Sequence, residues 1–156
     1  EKWNRYENRQ AGYTLNYPSS WNKGKYTVEA DYAHESFRAP GDESWQVLAI
    51  YHTLIKGRGL NEYKNEVIGK IRTNLGIKLI NPNTILPIDE REIPIAGQKG
   101  WELSVSIPPG SAHYNSTPHF IGRVIFIANG REWQIQGAGR NIDTLRRMAQ
   151  SFQLLS

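Results

Sequence analysis

Asn129-Gly130 sits between two segments that read as strands, and few dipeptides commit a chain so firmly to one local structure. Both central residues of a two-residue type I′ turn need positive φ, which asparagine and glycine adopt at little steric cost. Before the pair, Val124 to Ala128 is a short apolar run; after it, Trp133 and Ile135 alternate with Gln134 and Gln136. That arrangement predicts an antiparallel hairpin. Upstream, Trp101, Leu103, Val105 and Ile107 recur with period two while Glu102, Ser104 and Ser106 fill the other parity, which predicts a strand with one core face and one lightly covered face. Alternation is expected to leave Glu102, Ser104, Ser106, Gln134 and Gln136 opposite the Trp101 and Trp133 rings. Downstream, Ile142, Leu145, Ala149 and Phe152 recur at three and four residues behind an Asn141 cap, so an amphipathic helix should fold back onto the apolar face of the sheet.

The rest of the chain extends this frame. Residues 1–11 are polar around Trp3 and Tyr6 and read as an arm that docks one or two rings onto a single domain over 12–156. Tyr13, Leu15 and Tyr17 alternate until Pro18, with Trp21 closing an end of the core. Residues 26–37 carry Glu29, Asp31, His34 and Glu35 and read as an extended edge segment. From Trp45 to Ile55 apolar residues occupy both parities, the pattern of a strand with two covered faces. Leu60, Tyr63, Val67, Ile71 and Leu75 mark a helix with Asn61 as its cap and Gly76 as its stop. A strand is expected around Glu92 to Ala96, and an antiparallel sheet of about five to seven strands.

At 156 residues the chain is long enough for one well-buried core, and its 5 Trp, 8 Tyr and 4 Phe bring large buried areas to a hydrophobic fraction of only 38%. The absence of cysteine excludes disulfides and thiolate chemistry. A formal charge of +4 suits acidic partners, yet the basic residues are scattered among acids, so nucleic acid is not expected. A start at Glu1 without methionine is what removal of a targeting or anchoring segment would leave.

No catalytic constellation is read. Ser104 and Ser106 occupy the polar parity of a strand, no Gly-x-Ser-x-Gly motif is present, and Gly137-Ala138-Gly139 lacks the partners of a phosphate loop and reads as a tight strand-to-helix turn. His113 and His119 flank a loop that would have to close for them to share a zinc ion; without a helical pair or a nearby carboxylate, no metal is expected. The same loop, with Tyr114 at its tip and its ends held by strands, is a candidate protein-binding element. Lys64, Lys70 and Arg72, with Lys56 and Arg58 beside Tyr63, read either as a face for an acidic partner or as solvated helix surface.

Tyr6 followed by Gly12-Tyr13-Thr14-Leu15-Asn16-Tyr17-Pro18-Ser19-Ser20-Trp21 resembles the opening of the PsbP family, extrinsic lumenal subunits of photosystem II and their relatives. Gly130-Arg131-Glu132-Trp133 and the closing Gln150-Ser151-Phe152 resemble its ending. The resemblance implies an α+β fold, an α-β-α sandwich around a central antiparallel sheet, which a Ran-binding nuclear import factor and many bacterial lipoproteins share. It further implies a non-catalytic, monomeric binding or assembly module without cofactor, docking on a membrane protein complex. Its expected address is extracytoplasmic (thylakoid lumen, periplasm or cell surface), with peripheral or lipid-anchored membrane association. Two other classes stay open: a small-molecule or metal-binding protein or enzyme with an aromatic and histidine pocket, and a Ran-binding adaptor.

Overall fold

The computed structural model describes residues 2–111 and 119–156. Among them an antiparallel sheet runs in the order β3 (Asn22–Lys23), β5 (Tyr32–Arg38), β6 (Val47–Leu54), β10 (Arg131–Gly139), β9 (Phe120–Ala128), β8 (Gln98–Ser106), β7 (Asp89–Ile95), with β4 (Thr27–Val28) also on β5. A second, three-stranded sheet holds β1 (Trp3–Asn8), β2 (Tyr13–Pro18) and β11 (Gln153–Leu154). Helix α1 (Leu60–Lys78) covers one face of the large sheet; α2 (Ile142–Ser151) and the small sheet cover the other. This is the expected α+β sandwich, and among the described residues its large sheet has eight strands where five to seven were expected, two of them, β3 and β4, being two-residue pairings.

The Asn129-Gly130 turn forms as read, with φ of 52° and 72°, and Asn141 caps α2 by accepting a hydrogen bond from the Asp143 amide. A second two-residue turn joins β7 to β8 at Ala96-Gly97, where Ala96 is held at φ 49°. A Cβ in the left-handed region costs about 1–2 kcal/mol, and asparagine tolerates it better. Ala96→Asn is therefore expected to stabilise the protein by about 0.5–1 kcal/mol in urea denaturation.

Several local expectations are corrected. Residues 3–8 form β1, paired with β2 from Trp3 opposite Pro18 to Asn8 opposite Tyr13, where an arm was expected. Its anchor is Glu35 on β5: fully buried, it accepts hydrogen bonds from the Tyr6 hydroxyl at 2.9 Å, the Asn8 amide at 3.0 Å and the Tyr13 hydroxyl. Glu35 thus joins the two sheets, and β5 is no edge, since β3 and β4 pair along its outer side. Helix α1 starts at Leu60 behind Gly59 and runs through Gly76. Glycine inside a helix costs about 1 kcal/mol. Leu79, 2% exposed, extends the buried stripe of Tyr63, Val67, Ile71 and Leu75 by one more turn and outweighs that cost.

The largest correction concerns facing. Gly100 pairs with Phe126, and Phe126 with Trp133, so Trp133 shares a face with Gly100 and Glu102, while Trp101 points the other way toward α1. Both parities of β8 are covered: Leu103 and Val105 pack under α1, and Glu102 and Ser104 are buried on the α2 side. Gly137 and Gly122, cross-strand partners on that side, form a notch for Leu145 of α2. A Cβ at Gly122 would stand 2.8 Å from Leu145 Cδ2. Gly137 and Gly139 therefore belong to β10 and to packing, where a strand-to-helix turn was expected.

Beneath the small sheet, His52 is 4% exposed, its ring 4.7 Å from that of Trp133. Arg131 donates to its Nδ1 at 3.2 Å, so Nε2 carries the proton and donates to the Tyr26 oxygen at 3.0 Å. Burial, aided by the Arg131 charge, holds the imidazole down at about 4. The folded pKa lies below the unfolded value, so this contribution is complete above about pH 6.5 and is lost as pH falls toward 4, by up to about 3 kcal/mol. Glu35 has the opposite sign: burial raises its carboxyl, and its contribution is lost as pH rises through the folded value. Wild type and His52→Gln, compared by urea denaturation at pH 7 and pH 4.5, isolate the histidine; the variant should lose distinctly less stability on acidification.

Candidate functional site

Helix α1 packs over β8 and β9, where Trp101, Leu103, Val105 and Ile125 meet its buried stripe. Among the described residues no helix packs over the same face of β5 and β6. There the α1 flank and the sheet enclose an open cleft of about 320 Å³, a size suited to a small ligand. Its floor mixes Val47, Ala49 and Ala138 with Ser36 and Gln136 of the same sheet face, and Ile71 comes from α1. Along one wall the His34 ring stacks against those of Tyr32 at 5.6 Å and Tyr51 at 5.2 Å, which themselves lie 6.3 Å apart, and among the described residues the buried His34 Nδ1 has no hydrogen-bond partner.

The electrostatics are one-sided. Arg38, Lys78 and Arg123 line the cleft, and among the described residues none that lines it is a carboxylate. Arg123, on β9 opposite Gln136, is half-buried; its Nη1 donates to Gln134 Oε1 at 3.3 Å, an oxygen that also accepts from Gln136 Nε2 at 3.0 Å. Burial lowers the pKa of its guanidinium, and among the described residues it has no salt-bridge partner. A few residues along the same seam the charges are matched: Arg58 makes a two-pronged pair with buried Glu132 at 2.8 and 3.0 Å and also meets Glu66, which Lys70 approaches at 3.7 Å.

Of the residues singled out from sequence, Lys70 borders this seam and is exposed. Lys64 is occupied: its Nζ lies 2.8 Å from Glu90 and 4.0 Å above the Trp101 ring, which it shields from water. Arg72 is exposed and lines none of the described cavities. His119 is exposed, its ring 6.5 Å from that of Trp45, its backbone bonded to Gly139 and Ile107. His113 and Tyr114 lie outside the described residues. Arg123 was missed, although a lone arginine in the apolar run Phe120-Ile121-Gly122-Arg123-Val124-Ile125-Phe126 is a signal in itself. Among the described residues no group of three or more His, Asp or Glu stands ready to hold a metal ion.

An eight-stranded antiparallel sheet with one long helix on one face, and a short helix with a small sheet on the other, defines the class: an α+β sandwich with a basic cleft beside its long helix. No family model and no curated protein matches the chain. Among solved structures it is similar to cyanobacterial PsbP (CyanoP) from Synechocystis sp. PCC 6803, with a TM-score of 0.64 and 16% identity, covering 97% of this chain and 92% of that one. The chain has a PsbP-like fold.

Proposed function

We propose that this chain is a non-catalytic extracytoplasmic module of PsbP type that docks on a membrane protein complex, photosystem II or one like it. The observation that carries the reading is the likeness of fold to cyanobacterial PsbP along 97% of the chain. It is supported by the surface where α1 ends: Ile77, Ile80 and Ile85 are 72%, 56% and 82% exposed within a short stretch of chain. Apolar side chains grouped in this way supply the anchors of a protein contact. An anchor segment upstream would hold the module at the membrane surface, and the net positive charge would favour an acidic patch on the complex.

The test is co-purification of the tagged chain, after mild cross-linking, with detergent-solubilised native membranes. One membrane complex should be retained, and Ile77→Ser with Ile85→Ser should weaken its retention about tenfold, the equivalent of 1.4 kcal/mol. Equal retention by the substituted chain would remove this surface from the contact. Failure of any membrane complex to co-purify would end the docking reading.

A further inference from the structure

We propose that the cleft beside α1 binds a small organic anion, its carboxylate or phosphate group held by Arg123 with Arg38 and Lys78 at the rim. Three observations converge on that chemistry. The first is the unmatched cation: Arg123 is half-buried on the α1 side of the sheet, and among the described residues its partner is the neutral amide of Gln134. A guanidinium withdrawn from water is stabilised by an oxyanion that accepts its forked N–H donors, and arginines elsewhere in this protein have one, as Arg58 has Glu132 and Arg146 has Glu102. The second is the sign of the lining, where Arg38 and Lys78 add to Arg123 and, among the described residues, no Asp or Glu takes part. Low-dielectric walls of one sign concentrate counter-ions in a cleft.

The third observation sets the rest of the ligand. Under these cations Val47, Ala49 and Ile71 form an apolar patch, interleaved with Ser36 and Gln136 and bordered by the stacked rings of His34 and Tyr51. An apolar patch with polar neighbours beneath a cationic rim fits an anion with a flat or aliphatic body better than a bare inorganic ion, because the body gains burial while the head group gains charge-assisted hydrogen bonds. The cleft volume of about 320 Å³ admits a single ring or a chain of comparable size. This inference goes beyond the docking reading and is independent of it: the isolated protein suffices for the test, so either stands when the other fails.

Nitrogen-15 NMR titration of the isolated protein with phenyl phosphate, benzoate and inorganic phosphate, each against sodium chloride of equal ionic strength, decides the matter. Saturable shifts are expected at the amides of Ala49, Arg123 and Gln136 with phenyl phosphate, benzoate or both, and weaker binding of inorganic phosphate. The preferred head group separates the phosphate from the carboxylate source. Arg123→Gln should weaken binding at least tenfold. Should that variant melt early, Arg38→Gln and Lys78→Gln, both at exposed positions, carry the test, each with a loss of about two- to fivefold. Shifts that never saturate, that sodium chloride reproduces, or that persist unchanged in the substituted proteins would overturn the proposal.

Discussion

Phe152→Ala is expected to destabilise the protein by about 3–5 kcal/mol, near the whole stability margin of many domains of this size. The ring is 1% exposed and stands where three elements meet. It stacks on Tyr13 of β2 at 5.2 Å, with an interplanar angle of 26°, and meets Phe126 of β9 edge-on at 5.4 Å and Trp133 of β10 at 5.5 Å. Its removal leaves a cavity bounded by rigid rings that cannot collapse into it, which puts the cost at the upper end of the range for such truncations. Because Tyr13 belongs to the small sheet, loosening of β1 and β2 should accompany the loss. Urea denaturation followed by tryptophan fluorescence and by amide exchange at Thr14 reads both effects. A loss under about 1 kcal/mol would mean that Phe152 does not link the two sheets.

Arg146→Met is expected to cost about 3 kcal/mol at pH 7. Glu102, 2% exposed, is held by Arg146 through Nε and Nη2, both at 2.9 Å, and by Arg91 at 3.1 Å. Burial pushes its carboxyl upward, yet the two guanidinium groups outweigh burial and keep its pKa below the ordinary carboxylate value. Without Arg146 the buried charge retains only Arg91, whose side chain is 53% exposed and itself well hydrated. The sign follows from the lowered pKa: the stabilisation is complete above the ordinary carboxylate pKa and is lost as pH falls through the folded value. The gap between wild type and variant should therefore narrow in acid. Combining Glu102→Gln with Arg146→Met should recover most of the loss at pH 7, because a neutral amide needs no counter-charge. A double variant as unstable as the single one would show that Arg146 acts through packing of its stem on α2 and β7.

Those two side chains also mark the limit of what the one-dimensional pattern conveys. Phe152 was legible as core because it continues the three-and-four spacing of Ile142, Leu145 and Ala149, and the burial of Leu145, Met148 and Ala149 follows the same stripe. Glu102 read as a residue on the lightly covered parity of its strand, whereas α2 lies over it and supplies Arg146 from more than forty residues away in sequence. The candidate loop shows the same divide. His119 could be picked out by residue type, but its setting beside Trp45 depends on where β6 and β9 lie in the sheet. The cleft was illegible because Arg38, Lys78 and Arg123 come from three separate elements, and nothing near any of them in sequence records that, among the described residues, no carboxylate lines it.

The sequence by itself determined the elements whose causes are local. Positive φ at Asn129 and Gly130 set the hairpin, period two marked β8, and the stripes of Tyr63 to Leu75 and Leu145 to Phe152 marked the helices. Each depends on groups only a few residues apart, so the pattern contains its own explanation. Tertiary structure alone decided which side of the sheet each strand offers to each helix. Trp101 and Trp133 obey the same alternation yet face opposite ways, because pairing brings Gly100, not Trp101, opposite Phe126. Register is set between strands, by closure of the hairpins and by which faces the helices bury, and a shift of one residue exchanges core for surface along a whole strand. That relation placed Glu102 beneath Arg146 and left Arg123 in the open cleft beside α1.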